Sequence, residues 1–519
     1  MHKMALFLLS PLLALQLSAA PTLPNIFGDH MVLQQGCPVM VWGWADANEA
    51  ITVTFAGQEK KVTTAADGKW SVKLDALKAS KDGRELKIND KVFKDVLVGE
   101  VWVCSGQSNM EWSAGNVKEA GKVREAANFP MIRHIQVPKV AAPGPEEDFN
   151  GNWQVCSPDT VGRFTAVGYF FGKRLNEELD VPIGLVNSSW GGTRIEPWTP
   201  VEGWKTIESH DWAANTLKEI AARDPNSAAG KERYARGLEE IRNWLGRAEA
   251  DLAAGDYPDT LPQPAAFRSN HQGPAMLYNG MIHPIYQFAI RGALWYQGES
   301  NGGEYETYYQ KKHALVKGWR QLWNQGDFPF YWVQLANFTE DNKTPEGGDG
   351  YARIREAQRE AMDLPNTGMA VIIDIGEAKD IHPRNKQDVG HRLAQWALAR
   401  DYGKDIVPCG PLPTKHEVNG ATIKVSFEHV GAGLIVGKKV ELAPVEEVKE
   451  GKLERFAIAG EDKKWVWAEA RIEGKSVIVS SPEVPAPVAV RYAYSANPEG
   501  ANLYNREGIP ASPFRTDTW

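Results

Sequence analysis

Ser108 lies in "VCSGQSNMEWS" (103–113), just past an apolar run that ends in small and polar residues. A serine hydroxyl is a weak nucleophile and needs an adjacent base. His382, in "GEAKDIHPRNK" (376–386), is the histidine placed to serve it, and Asp380 stands two residues before. A carboxylate there would fix the imidazole tautomer and stabilise the imidazolium, with Asp374 as a weaker substitute. Two further clusters complete an acyl-transfer inventory: "NSSWGGTRIEPW" (187–198) and "WYQGESN" (295–301). Backbone N–H groups at Ser108 and at the Gly191–Gly192 turn, with the amide of Gln297, are the candidate donors to a tetrahedral oxyanion. One such donor is typically worth about 2.7–4 kcal/mol of barrier. Gln107, Asn109, Trp190, Arg194, Glu299 and Asn301 are the candidate substrate contacts. Within them, Gln297, Glu299 and Asn301 compete for one polar role, and Arg194 is either a carboxylate fork or the ion-pair partner of Glu196.

What would bring four such clusters together is a parallel sheet. Each follows an apolar, strand-like run: "VLVGEVWV", "IGLVNSS", "IRGALWYQ" and "MAVIIDI", with "MIRHIQV" and "FYWVQL" as further strands. Between them stand segments with apolar spacing of three to four: "FTAVGYFFGKRLNEEL", "YETYYQKKHALVKGWRQLW", "YARIREAQREAM" and "KQDVGHRLAQWALARDY". This alternation predicts a three-layer α/β/α core over residues 96–403, whose ligand chemistry collects at the carboxyl ends of the strands. His283 precedes its strand and His391 lies inside a helix, so neither belongs to that edge. Residues 201–270 read as a charged helical insertion, either a lid or a solvated excursion. β-rich modules flank the core at 21–95 and 404–519; in the first, "AADGKWSVKL" carries an Asp-Gly hairpin signal.

The blocks "GEVWVCSGQSNMEW", "NSSWGGTRIEPW", "WYQGESN" and "DIHPRNKQDVGHRLA", and the closing "NPEGANLYNREGIPASPFRTD", resemble the SGNH-type (GDSL-like) hydrolases, and within them the sialate O-acetylesterase family. The resemblance implies an SGNH-like fold, Ser108 as nucleophile and His382 as base. It also implies Gly191 or Gly192 in the oxyanion hole and Gln297 as the polar residue of the third block. The chain departs from the pattern where Lys379 occupies the position, three before the histidine, that usually carries aspartate. It departs again where "QGESN" replaces the usual asparagine motif.

Composition narrows the partners. The chain of 519 residues is 43% hydrophobic and carries a net charge of −8 without any basic run, which argues against nucleic acid. Its 19 tryptophans give weak support to a sugar ligand. The segment "MHKMALFLLSPLLALQLSAA" (1–20) has the layout of a secretory signal peptide, and no later stretch has the length and apolarity of a membrane span. The expected location is therefore secreted or periplasmic. Four cysteines without C-x-x-C spacing argue against zinc, and no cofactor is expected. Cys104 and Cys156 would either pair in an oxidising compartment or remain buried thiols. The expected function is removal of acetyl groups from a carbohydrate through an acyl-enzyme. The alternatives are an acetylesterase of xylan or another plant glycan, and a carbohydrate-binding protein without turnover.

Overall fold

A computed structural model describes residues 20–268 and 270–519. The expected signal peptide falls almost wholly outside the described residues. Six parallel strands form the centre: β1 (Lys91–Gly106), β2 (Ile132–Gln136), β3 (Ile183–Ser189), β4 (Gly292–Tyr296), β5 (Phe330–Val333) and β6 (Thr367–Ala370). Their order in the sheet is β2-β3-β1-β4-β5-β6. From β1 the chain passes to the outer β2, returns to β3 beside β1, and then builds β4, β5 and β6 on the other side, so β1 lies at the switch point where an open sheet gathers ligands.

The strands are buried on both faces, which is why they read as apolar runs and not as alternations. Tyr331 and Trp332 show how both faces are covered, since successive strand residues point to opposite sides. Tyr331 and Trp102 meet Phe171 and Trp396, on helices α1 (Ala166–Leu179) and α4 (Lys386–Arg400). Trp332 and Trp295 instead meet Lys312 and Trp319 of α2 (Tyr305–Trp323), against which α3 (Gly350–Glu360) packs. At Gly390 of α4 a Cβ would lie 2.6 Å from Phe170 and 2.7 Å from the Phe171 backbone, so glycine sets the approach of α1 and α4.

Three details differ from the sequence reading. The Asp67-Gly68 turn does not make a hairpin; it joins Gln58–Thr63 to Lys69–Leu74, strands that pair with different partners. The two-residue hairpin closes at Ala56-Gly57, both at positive φ, and an alanine there is not a turn signal. β6 stops at Ala370, so only the start of "MAVIIDI" is strand. All four cysteines are free thiols, with Cys104 and Cys156 separately buried, Cys104 against Gly168 of α1 and Cys156 beside the Ala127 carbonyl.

The flanking β segments are joined closely to the core. β1 pairs parallel with Val32–Gln34 and antiparallel with Ser80–Ile88, so the expected boundary at 95/96 falls inside one continuous strand. On the C-terminal side, the buried Arg355 guanidinium of α3 donates to the carbonyls of Leu335, Ala336, Ser495 and Ala496. The insertion forms helices Val201–Lys205, Asp211–Arg223 and Ala228–Ala254. No helix among the described residues is long and apolar enough to cross a membrane.

Candidate active site

β1 ends at Gly106, whose φ of +133° and a prospective Cβ only 2.2 Å from the Tyr296 carbonyl oxygen both require glycine. That turn sends Gln107 into the sheet edge and puts Ser108 at the start of the single-turn helix Ser108–Glu111. From the far side, the loop after β6 returns His382. Its Nε2 lies 2.8 Å from Ser108 Oγ. Its Nδ1 lies 3.2 Å from Asp380 Oδ1, which also accepts the His382 backbone N–H at 2.9 Å. That backbone bond is the first cause holding Asp380 below the usual carboxylate range, and the imidazole adds to it. Asp374 faces elsewhere: it forms a two-pronged pair with Arg392 (2.6 and 2.8 Å) and accepts from Tyr504. Trp112 stacks on the imidazole, with ring centroids 5.3 Å apart.

Gly191 packs against Ser108, with a prospective Cβ 3.2 Å from the serine Cβ, but its N–H donates to Glu111 Oε2 at 2.7 Å. Glu111 is held in turn by Lys139. Among the described residues no acceptor meets the N–H of Ser108 or of Gly192, a residue at φ +73°. The N–H of Asn109, next in the same turn, is likewise without one. Trp190 stacks on His271, and Gln272 bridges the Gly192 carbonyl and the Arg194 N–H. The segment returning from the insertion therefore lies against the double-glycine turn.

The third block serves mainly as scaffold. Gln297 is fully buried: its nitrogen donates to Asn301 Oδ1 and the Thr193 carbonyl, and its oxygen accepts from Tyr308. Asn301, also buried, accepts the Ile195 N–H and donates to Glu196. Neither amide is aimed at the serine. Arg194 pairs with Glu196 and Glu304, and Lys311 with the same two carboxylates. Burial alone would raise Glu196, yet the Lys311 and Arg194 charges bring it below its ordinary value. The ion-pair reading of Arg194 is the one its contacts favour.

Gln107 and Asn109 flank Ser108 and both reach Glu299. Asn109 Nδ2 donates to Glu299 Oε1 at 2.6 Å, and the Gln107 amide, in its satisfied orientation, donates to Oε2 at 3.1 Å and to the Thr193 carbonyl at 3.3 Å. Burial pushes the Glu299 carboxyl up. Trp112, Glu111 and Lys386 are neighbours that sequence reasoning did not single out. Trp112 and Glu111 stand in the same block as Ser108, and Lys386 follows Asn385, the residue that caps α4. No cluster of three or more His, Cys, Asp or Glu side chains able to hold a metal occurs among the described residues.

An α/β/α sheet presenting a serine, an imidazole and a carboxylate at one edge points to a class: the carboxylic ester hydrolases of SGNH-like fold. The comparisons with known proteins give the same class. The family model for carbohydrate esterases described as sialic acid-specific acetylesterases matches residues 98–223 and 265–399, leaving out the long insertion helix. Sialate O-acetylesterase of Rattus norvegicus is 32% identical over 75% of this chain and 75% of its own length. That of Homo sapiens is 29% identical over 94% and 91%. The crystal structure of a carbohydrate acetylesterase from Xanthomonas citri superposes with a TM-score of 0.78 at 36% identity, covering 96% of this chain and all of that one. The chain belongs to the carbohydrate esterase family of sialic acid-specific acetylesterases.

Proposed function

We propose that this protein is an exported O-acetylesterase that removes acetyl groups from sugars, with Ser108 as nucleophile, His382 as general base and acid, and Asp380 behind the imidazole. The observation that carries the reading is the 2.8 Å approach of Ser108 Oγ to His382 Nε2, with Asp380 on the opposite ring nitrogen. Ser108 Oγ attacks the acetyl carbonyl as its proton passes to Nε2. The oxyanion forms against the N–H groups of Ser108 and Gly192; Gly191 would join them once Glu111 releases its N–H. Collapse breaks the ester bond, and the sugar oxygen takes the proton from the imidazolium. Water, deprotonated by His382, then hydrolyses the acetyl-Ser108 ester and frees acetate. Asp380 holds Nδ1–H and lowers the energy of the imidazolium in both steps.

Export rests on the layout of residues 1–20. N-terminal sequencing of the protein recovered from medium or periplasm tests it, and an intact Met1 there would oppose it. The relatives named sialate O-acetylesterase support a sialic acid ester as substrate. The engagement of Arg194 by Glu196 and Glu304 favours a second reading, an acetyl ester on a neutral glycan such as xylan, because it removes the expected carboxylate fork. Acetate release from O-acetylated sialic acid and from acetylated xylan, measured side by side, separates the two. In either assay Ser108→Ala should lower kcat by several orders of magnitude. A variant keeping more than a tenth of the rate, about 1.4 kcal/mol of barrier, would remove Ser108 from the mechanism. Release of acetate by the wild type at no more than the background rate would instead favour a binding protein.

A further inference from the structure

Lys386 sits where a lysine is doubly disfavoured. It opens α4, where the positive end of the helix dipole opposes a cation, and it is 0% exposed, where lost hydration opposes any charge. Its Nζ donates to Asn109 Oδ1. The same amide, through Nδ2, donates to Glu299 Oε1 at 2.6 Å and to the Ile381 carbonyl at 3.1 Å. The rings of Tyr296 and Trp112 lie 5.2 and 5.9 Å from the ammonium. Asn109 directly follows Ser108, and Ile381 directly precedes His382.

The sheet explains why such a link is needed. Ser108 follows β1 and His382 follows β6, and β4 and β5 lie between these strands. Three strand spacings separate their tips by about 14 Å, so no ladder hydrogen bond relates one loop to the other. The two loops converge beyond the sheet edge, and the Asn109 amide ties them where they meet. Lys386 faces its oxygen while Glu299 and Ile381 face its nitrogen, so all three partners select one orientation of the amide. A shift of about 1 Å between reacting groups can cost a hundredfold in rate.

We propose that Lys386 is a positioning residue for the hydrolytic pair: through Asn109 it locks the Ser108 turn to the His382 loop, with Glu299 as its counter-charge. The inference rests on the reading of Ser108 and His382 as nucleophile and base. The charged groups facing Lys386 are Glu299, from the loop after β4, and Glu377 and Asp380, from the loop after β6. Burial pushes the amine down to about 7 and these carboxylates oppose the shift. The link therefore loosens as pH rises and the amine loses its charge.

The test compares Lys386→Met, Asn109→Ala, Glu299→Gln and the Lys386→Met/Glu299→Gln double variant with wild type, using p-nitrophenyl acetate from pH 6 to 9. Folding is checked by near-ultraviolet circular dichroism. Lys386→Met should lose at least thirtyfold in kcat at pH 6.5 with KM within threefold. The wild-type to Lys386→Met ratio should shrink above about pH 8, as the wild type loses the same charge. The double variant should be no worse than Lys386→Met, since each single change breaks one link of the same chain. Asn109→Ala approaches the link from its other end and should show the same loss, which keeps the test decisive if Lys386→Met does not fold. A folded Lys386→Met with more than half of wild-type kcat, a ratio constant across pH, or an Asn109→Ala within threefold of wild type would each overturn the proposal. Ser108→Ala in the same assay tests the underlying reading separately. If it is inactive while Lys386→Met is unimpaired, only the present inference fails.

Discussion

Replacing Asp380 by Asn removes the charge behind His382 and leaves the shape. In a buried triad such a change costs about 10⁴ in kcat. Here the carboxylate is 37% exposed and the ring nitrogen is 3.2 Å away, so solvent screens part of the interaction. Two unit charges about 4 Å apart interact by about 1 kcal/mol in water and about 4 kcal/mol near a protein surface. At 1.36 kcal/mol per decade, that range predicts a fall of about five- to a thousandfold in kcat, with KM little changed. The control is Asp374→Asn. It breaks a pair with Arg392 whose two side chains are nearly inaccessible, and loss of one partner of a buried pair costs about 3–5 kcal/mol of stability. Urea unfolding and steady-state hydrolysis of one acetyl ester, run on both variants, should give opposite patterns: Asp380→Asn slow and stable, Asp374→Asn fragile and, where folded, active. An Asp380→Asn enzyme within threefold of wild-type kcat would refute the role given to Asp380. Ser108 and His382 would then act as a dyad.

Other outcomes follow from the same structure. Trp112→Ala removes the ring stacked on His382, worth about 0.5–1.5 kcal/mol, and should slow kcat by about two- to tenfold; an unchanged kcat would mean that the stack does not orient the imidazole. Prolonged treatment with EDTA or 1,10-phenanthroline should leave the rate unaltered, and loss of activity restored by zinc would overturn the serine-only scheme. His134 is buried and its pKa is driven down to about 3 by desolvation, so its folded value lies below the unfolded one. The stability tied to its neutral form is complete above the unfolded value near 6.5 and is lost as pH falls toward 3. His134→Gln should therefore narrow the difference in thermal midpoint between pH 7 and pH 5, and an unchanged difference would show that carboxylates alone govern acid sensitivity.

The layout of the core was legible because strands buried on both faces appear as unbroken apolar runs and helices as three-four spacing. The polar clusters at the sheet edge were legible for the same reason, since each stands where an apolar run stops. Which members of a cluster face the cleft was not legible. Gln297, Asn301 and Arg194 look in sequence like groups available to a ligand, and each is occupied by a neighbour from another segment: the Thr193 carbonyl, the Ile195 N–H and Glu304. Side-chain pairing across loops leaves no periodic mark. The Ala56-Gly57 hairpin was missed because an alanine occupies a left-handed position, where turn chemistry leads one to expect asparagine, aspartate or glycine. Lys386 was hidden because a lysine at the start of a helix normally reads as a solvated side chain, and only the packing shows it enclosed.

The continuity of β1 bears on how the chain reaches its working form. Strand Lys91–Gly106 begins beside Ser80–Ile88 and ends two residues before Ser108. The N-terminal β segment enters the central strand through the two exposed residues Asn89 and Asp90 and then pairs back along it, so it cannot be exchanged without unpairing that strand. The N-terminal β segment and the placement of Ser108 are thus coupled through one strand. Val32–Gln34 and Ser80–Ile88 cover the first half of β1, so a truncation that removes them should cost compactness and the placement of Ser108 together.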